Sequence, residues 1–475
     1  MNSVKIAVID NGIDNTQINF DLENKVYVDS ASECITDDKD ISGFTFAHGT
    51  ICASIIKNNT ENAKLYSVRM LDENGRGLVR SLSPALEWCY QNGIRLVNLS
   101  LGTTHFHDKG IIRQIINHYA YKGMIIVAAT SNSGYTTYPA SFSNVISVEA
   151  GEALRFAELA QQEKGVDFSA PIKQELISEQ TSFSVPQSNS YATPYVTAMI
   201  ANILREKPTA SLTSIREILC NSQGKSTFYY VPDWIESAWI SDKYWKSEAT
   251  YYFRSVAGEL DACTDEIDTL VIMDKEEFQQ YRYKEKHIVY LGEESIEYPL
   301  TDGYFWSKEQ RIEQIMSSPK RISEIEIPII IVKLNVEQDS ILLLDTLRHR
   351  FFEGGYNAYA GSFEIASVLY DLEFFPKELC SPLTRETVLD FIYWQTFYNQ
   401  SDVIVFCMDD EGYSPLVEVA DMIIKINPNE EKTVAEIFCD GQWKNNIFFT
   451  YMDQKSISSL YQRILEYLTE ENDEQ

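Results

Sequence analysis

The chain has 475 residues, 44% hydrophobic and 23% charged, which is the balance of a globular protein long enough for two or three domains. Its formal net charge is -30, from 70 acidic against 40 basic residues. A surface that negative repels phosphate backbones and anionic headgroups, so nucleic acid and membrane partners are not expected; it could attract a basic peptide, but solubility is the favoured reading of the charge.

The apolar run Ile6-Ala7-Val8-Ile9 follows directly on Met1-Asn2-Ser3-Val4-Lys5, without the charged segment and long apolar stretch of a secretory signal. No run of about 18 uninterrupted apolar residues occurs. The eight cysteines are Cys34, Cys52, Cys89, Cys220, Cys263, Cys380, Cys407 and Cys439; none forms a C-x-x-C pair, so zinc and redox motifs are absent and free buried thiols are expected. These features predict a cytoplasmic protein.

Segments 5–9, 63–70, 96–99, 124–128 and 144–148 read as buried strands, with helical patterns over 83–91 and 109–121 between them. That alternation predicts an α/β fold, a doubly wound parallel sheet with helices on both faces. Helices near 190–206 and 211–221 would close this first domain, 1–222. Residues 223–265 are irregular and rich in Tyr and Trp, and are taken as a bridge. Strands over 268–273, 287–291, 328–334 and 402–407, with helices over 341–352, 387–399 and 456–468, predict a second α/β domain, 266–475. The acidic tail, 470–475, is expected to fray.

Three motifs carry chemistry. In Val8-Ile9-Asp10-Asn11-Gly12, a strand ends on an aspartate and turns; carboxyl ends of parallel strands are where such sheets place their sites. In Ala47-His48-Gly49-Thr50, a histidine stands at a helix start. In Ser188-Asn189-Ser190-Tyr191-Ala192-Thr193-Pro194, a serine opens a helix of mostly small residues, where unpaired N–H groups and the dipole favour a developing oxyanion. Each motif has an ordinary structural reading, an N-cap serine among them.

In the order Asp, His, Ser the three motifs resemble the subtilases, whose pattern is D-[ST]-G, H-G-T and G-T-S-M-A-x-P; the order separates them from triad enzymes on other folds. Further segments are similar to the family's: Tyr66 to Leu71 with Asn74-Gly75-Arg76-Gly77, Val97 to Gly102, Val127 to Gly134 with Tyr138-Pro139-Ala140, and Phe168-Ser169-Ala170-Pro171. The resemblance covers about residues 4–222 and implies a subtilisin-like serine endopeptidase. It implies Ser190 as nucleophile, His48 as the base that returns the proton to the leaving amine, and Asp10 as the group that orients His48. Asn132 would donate to the oxyanion with the Ser190 N–H. Gly77, Ser100, Leu101 and Gly102 would clamp an extended peptide by strand addition, with Ser133 at the pocket. No catalytic metal or other cofactor is expected, since no His/Cys/Asp cluster has ligand spacing; the resemblance leaves room for structural calcium on oxygen ligands.

The chain departs from the pattern at three places. Ser188-Asn189 replaces Gly-Thr before the nucleophile, Ser131 replaces a Gly before Asn132, and Asn11 follows Asp10. A side chain at Ser188 would crowd substrate or change the turn. The chain also starts at the first catalytic strand, leaving no room for a folding propeptide.

In the second domain, 328–341 is a strand, a loop and a helix start where a P-loop would lie, but it has no Gly and no Lys-Ser/Thr pair, so nucleotide is not expected. With 359–362 and 402–406, the region is similar to companion maturation proteins of clostridial peptide natural products, which have a degenerate P-loop fold. The combined expectation is a cytoplasmic protease that processes a ribosomal precursor (leader) peptide, with other peptide-maturation enzymes as partners. The alternatives are a general intracellular degradative subtilase and a peptide-binding pseudo-protease, the latter favoured by Ser188 and Asn189.

Overall fold

The computed structural model describes residues 3–14, 20–29, 33–37, 48–157, 164–172, 175–177, 182–220, 231–244, 250–256, 259–282, 284–297, 303–334, 340–409, 414–429, 432–439, 441–449 and 453–473. The N-terminal sheet has nine strands: β1 (Val4–Asp10), β2 (Asn24–Asp29), β3 (Cys34–Asp37), β4 (Ala63–Arg69), β5 (Leu96–Leu99), β6 (Ile125–Ala129), β7 (Ile146–Gly151), β8 (Arg155–Phe156) and β9 (Phe168–Pro171). Their order is β3-β2-β4-β1-β5-β6-β7-β9-β8, parallel throughout except at the two edge strands. The helices are α1 (His48–Asn59), α2 (Leu82–Gln91), α3 (Lys109–Tyr121), α4 (Asn189–Glu206) and α5 (Leu212–Leu219).

The period of two along each strand builds two cores. Ile6, Val8, Leu96 and Val127 face α1 and α4, meeting Cys52, Ala53, Val196 and Ile200. Ala7, Ile9, Val97 and Ala128 face α2 and α3, meeting Leu86, Ile112 and Ile116. Burial on both faces is why these strands are continuous apolar runs rather than alternating ones. The helices expected near 190–206 and 211–221 are present as α4 and α5; Asn221 itself, like Ala47 and residues 223–230 and 245–249, lies outside the described residues.

The segment read as a bridge is more ordered than its composition implied. It supplies β12 (Ser237–Ile240) and β13 (Arg254–Val256), after a small hairpin of β10 (Glu175–Ile177) and β11 (Ser182–Ser184). β12 and β13 join β14 (Thr269–Ile272), β15 (His287–Tyr290) and β16 (Phe305–Trp306) in a parallel sheet ordered β13-β12-β14-β15-β16. A seven-stranded sheet follows, made of β17 (Ile329–Leu334), β18 (Ala358–Ser362), β19 (Glu373–Phe374), β20 (Val403–Asp409), β21 (Met422–Asn429), β22 (Lys432–Cys439) and β23 (Gln442–Phe449), in the order β19-β18-β20-β17-β21-β22-β23. The helices of this half are α6 (Lys275–Tyr281), α7 (Lys308–Met316), α8 (Ser340–Glu353), α9 (Arg385–Asn399) and α10 (Gln454–Asp473). Ala238, Val271 and Val289 of the smaller sheet share one core with Ile330, Val332 and Val405 of the larger and with Leu344 of α8. Residues 335–339, where a phosphate loop would lie, are outside the described residues.

The C-terminal half is fastened to the N-terminal half through α3 and the cleft walls. Arg113 and Lys109 donate to Asp371 Oδ1 at 2.7 and 2.9 Å. Burial alone would raise the Asp371 carboxyl; Arg113, Lys109 and Arg348 overrule it and hold it well below the usual carboxylate range. Asn117 Nδ2 donates to the Asp233 and Ile235 carbonyls at 2.8 and 2.9 Å, and His118 meets Glu236 at 3.1 Å. His107 Nε2 lies 3.1 Å from the Phe352 carbonyl.

Candidate active site

Asp10 is the last residue of β1 and is 1% exposed. Its backbone carbonyl accepts from the Met70 and Leu71 N–H groups at 3.0 and 3.2 Å, so the strand end is fixed from its neighbour β4. Oδ1 accepts from the Asn11 N–H at 2.8 Å, and Oδ2 lies 2.8 Å from His48 Nδ1.

His48 opens α1, and the next two residues explain how it reaches Asp10. A Cβ on Gly49 would sit 2.5 Å from the Gly12 carbonyl oxygen, a contact with backbone that cannot yield, so only glycine lets the helix start this close to the turn. The Gly49 N–H donates to Asn11 Oδ1 at 3.0 Å, and Thr50 Oγ1 accepts from the Asp14 N–H at 2.9 Å. Asn11, read as a departure from a Ser/Thr pattern, is thus the clamp between the two motifs. The His48 ring packs on Tyr191 with centroids 4.9 Å apart. Burial works against the imidazolium, but the Cys52 sulfur and the Asp10 carboxylate outweigh it, so the His48 pKa is raised above the ordinary 6.5.

Ser190 stands in the first turn of α4, one residue after Asn189, with Ser188 as N-cap. Pro194 lacks the N–H that would bond the Ser190 carbonyl four residues back; Cys52 Sγ takes that place at 3.7 Å, which also puts it 3.9 Å from His48 Nδ1. His48 is bonded to Asp10 and, among the described residues, no hydrogen bond from Ser190 reaches it; catalytic bonds commonly close only around substrate. Asp10, His48 and Ser190 line one open cleft of about 950 Å³.

Asn132 lies on the loop after β6 and faces the start of α4. Its Oδ1 accepts from the Asn189 N–H at 2.9 Å, and its Nδ2 donates to Ser188 Oγ at 3.3 Å. Asn189 is the residue the sequence reading undervalued. It is buried, its Oδ1 accepts from the Ala150 N–H at 2.9 Å, and its Nδ2 donates to the Thr130 and Ser131 carbonyls at 3.2 and 3.1 Å. It therefore ties α4 to the ends of both β6 and β7. In the sequence it was visible only as a departure from the Gly-Thr pattern before Ser190.

Gly77, Ser100, Leu101, Gly102 and Asn132 line the same cleft. Ser133 is not among its lining residues; its Oγ pairs with Ser131 Oγ at 2.6 Å on the exposed side of the turn. A Cβ on Gly102 would come 2.6 Å from Thr137 Cγ2, so this wall needs glycine to let the Asn132 loop close on it. The two walls are joined by paired backbone bonds between Thr103 and Tyr138 at 2.9 and 2.8 Å. Asp10, His48 and Cys52 also bring three potential metal ligands within 4.8 Å, a cluster that sequence spacing did not reveal.

Comparison with known proteins agrees with this geometry. The Subtilase family matches residues 1–233. Subtilisin BL of Lederbergia lenta is 31% identical over 237 residues, 48% of this chain and 86% of its own, and Subtilisin Savinase of the same organism gives the same figures. The minor extracellular protease Epr of Bacillus subtilis is 32% identical over 234 residues, 45% of this chain but only 34% of the length of Epr.

Proposed function

Since the chain belongs to the subtilase family and carries a subtilisin-like serine endopeptidase domain over residues 1–233, we propose that the whole protein is a processing protease that cuts a ribosomal precursor peptide at a defined site in the cytoplasm. In this reading Ser190 Oγ attacks the scissile carbonyl while His48 takes its proton. Asp10 holds the His48 tautomer and stabilises its charged form, and the tetrahedral intermediate collapses as His48 protonates the leaving amine. Water then releases the acyl group by the same proton path. Asn132 Nδ2 and the Ser190 N–H are the oxyanion donors. Each role is filled by a side chain or backbone group, so no metal ion enters the reaction. The observation that carries the reading is the 2.8 Å Asp10–His48 contact in one cleft with a serine at a helix start.

The precursor-processing role rests on the C-terminal half. A protease in the cytoplasm must limit what reaches its cleft. A second body that docks a leader segment does so by raising the local concentration of one substrate, worth about 100- to 10000-fold in avidity. What supports this is the fastening of that half beside both cleft walls, where His107 meets the Phe352 carbonyl and the Thr136 N–H donates to the Tyr398 carbonyl. The test is to incubate the full chain with a proteome-derived peptide library and, separately, with precursor peptides encoded beside its gene. One cut in one precursor, with little cleavage of the library, is expected; broad cleavage of the library would leave general degradation as the better account.

A further inference from the structure

The two groups assigned above as oxyanion donors do not point into empty space. The Ser190 N–H donates to Ser188 Oγ at 3.4 Å, and Asn132 Nδ2 donates to the same oxygen at 3.3 Å. The orientation of the Asn132 amide is fixed by its other end, because Oδ1 is held by the Asn189 N–H at 2.9 Å. Both donors therefore converge on one hydroxyl belonging to the chain itself. We infer that the Ser188 hydroxyl is a resident acceptor in the position that the substrate's oxyanion must take, and that it has to be displaced in each catalytic cycle. The inference rests on the reading of Asn132 and Ser190 given above.

The geometry suits a displaceable occupant. Both contacts are longer than the 2.9–3.0 Å mode of good N–H···O bonds, so each is weak. A serine hydroxyl swings away about a single side-chain bond, and a charged oxygen attracts the same donors more strongly than a neutral hydroxyl does. Ser188 itself has φ -157° and ψ 142°, extended backbone that any residue adopts, so the side chain is not there to relieve strain. It does cap α4, a role in which glycine ranks only slightly below serine and alanine far below. The cost of the arrangement falls on the rate, since an N–H engaged by Ser188 is not free for the transition state.

The test uses the full chain with Ser188→Gly, Ser188→Ala and Ser188→Thr, each normalised to the fraction of sites labelled by a fluorophosphonate. Turnover of a peptide amide and inhibition by the matching peptide boronate, whose adduct places an oxygen in the hole, are measured together. Removing two weak hydrogen bonds is expected to raise kcat, and to tighten boronate binding in step, by about three- to tenfold in the glycine and alanine variants, with KM little changed. The alanine variant should also melt earlier, and the threonine variant should behave as the parent. Unchanged kcat and boronate affinity in both Ser188→Gly and Ser188→Ala would overturn the inference. So would a fall in kcat at full labelling, which would make the hydroxyl a third donor. A parent enzyme that takes neither fluorophosphonate nor boronate would overturn the acyl-enzyme reading, and this inference with it.

Discussion

The Thr136 N–H donates to the Tyr398 carbonyl at 2.9 Å, a backbone bond between the loop that carries Asn132 and the last turn of α9 in the C-terminal half. Beside it the Tyr135 and Phe397 rings meet with centroids 5.8 Å apart. The loop of Asn132 is therefore braced from outside the peptidase domain. Phe397→Ala should lower kcat by about three- to tenfold through a displaced Asn132, with KM little altered. Steady-state kinetics on a short peptide amide checks this, and the same substitution placed on Asn132→Ala should cost nothing more. An equal loss in both backgrounds would show that Phe397 acts elsewhere.

The ion cluster at Asp371 is the second fastening. Arg113 keeps 6% of its side-chain surface exposed and Asp371 17%, so Asp371→Ala leaves a buried guanidinium without its carboxylate. Breaking such a pair costs about 3–5 kcal/mol when fully buried, and about 2–3 kcal/mol is expected here because Asp371 keeps some solvent. Because the folded pKa of Asp371 lies below its ordinary value, this stabilisation is present above about pH 4 and is lost only as pH falls through the depressed value. Urea unfolding at pH 7 should show an earlier midpoint for the variant. An unchanged midpoint would mean the seam is held by its apolar and backbone contacts alone.

Gly49→Ala adds one methyl group where 2.5 Å separates it from the Gly12 carbonyl oxygen. The start of α1 must then move away from Asp10. A loss of about 1–3 kcal/mol in stability is expected, with a fall in kcat although every triad side chain is retained. Thermal melting and turnover together decide it: a variant with parental values of both would show that the turn at Gly12 yields freely.

Cys52 bears on the pH profile. His48 acts as base only when neutral, so kcat/KM should rise with pH through the His48 pKa, and that limb should stand above 6.5. The Cys52 sulfur contributes to the upward shift, so Cys52→Ala should move the limb toward lower pH and raise relative activity on the acid side. An unmoved limb would remove Cys52 from the electrostatics of the site.

Much of the peptidase domain was legible because its physics is local. Strands buried on both faces read as largely apolar runs, as residues 6–9 of β1 and the whole of β6 do, with β5 broken only at Asn98; the Asp, His and Ser each sit at a strand end or helix start with its own short signature. What escaped had no local signature. β12 and β13 have four and three residues in an aromatic-rich stretch, too short to show a period. The contact of Arg113 with Asp371 spans 258 residues of chain. Cys52 could have been placed, since it follows His48 by one helical turn, and its neighbourhood to the ring follows from that spacing. Ser188 and Asn189 were visible as departures from a pattern, but their opposite roles, one occupying the oxyanion position and one stapling three elements, depend on hydrogen bonds that only the folded chain displays. Ser133, placed at the pocket by resemblance, turns instead toward Ser131.

Ser190 as nucleophile is tested most directly by intact-mass and peptide-mapping analysis of the full chain after reaction with a fluorophosphonate. One phosphonyl group on Ser190 is predicted, with labelling greatly slowed in His48→Ala and absent in Ser190→Ala. Equal labelling of Ser190→Ala, or a label on another residue of the parent, would contradict it.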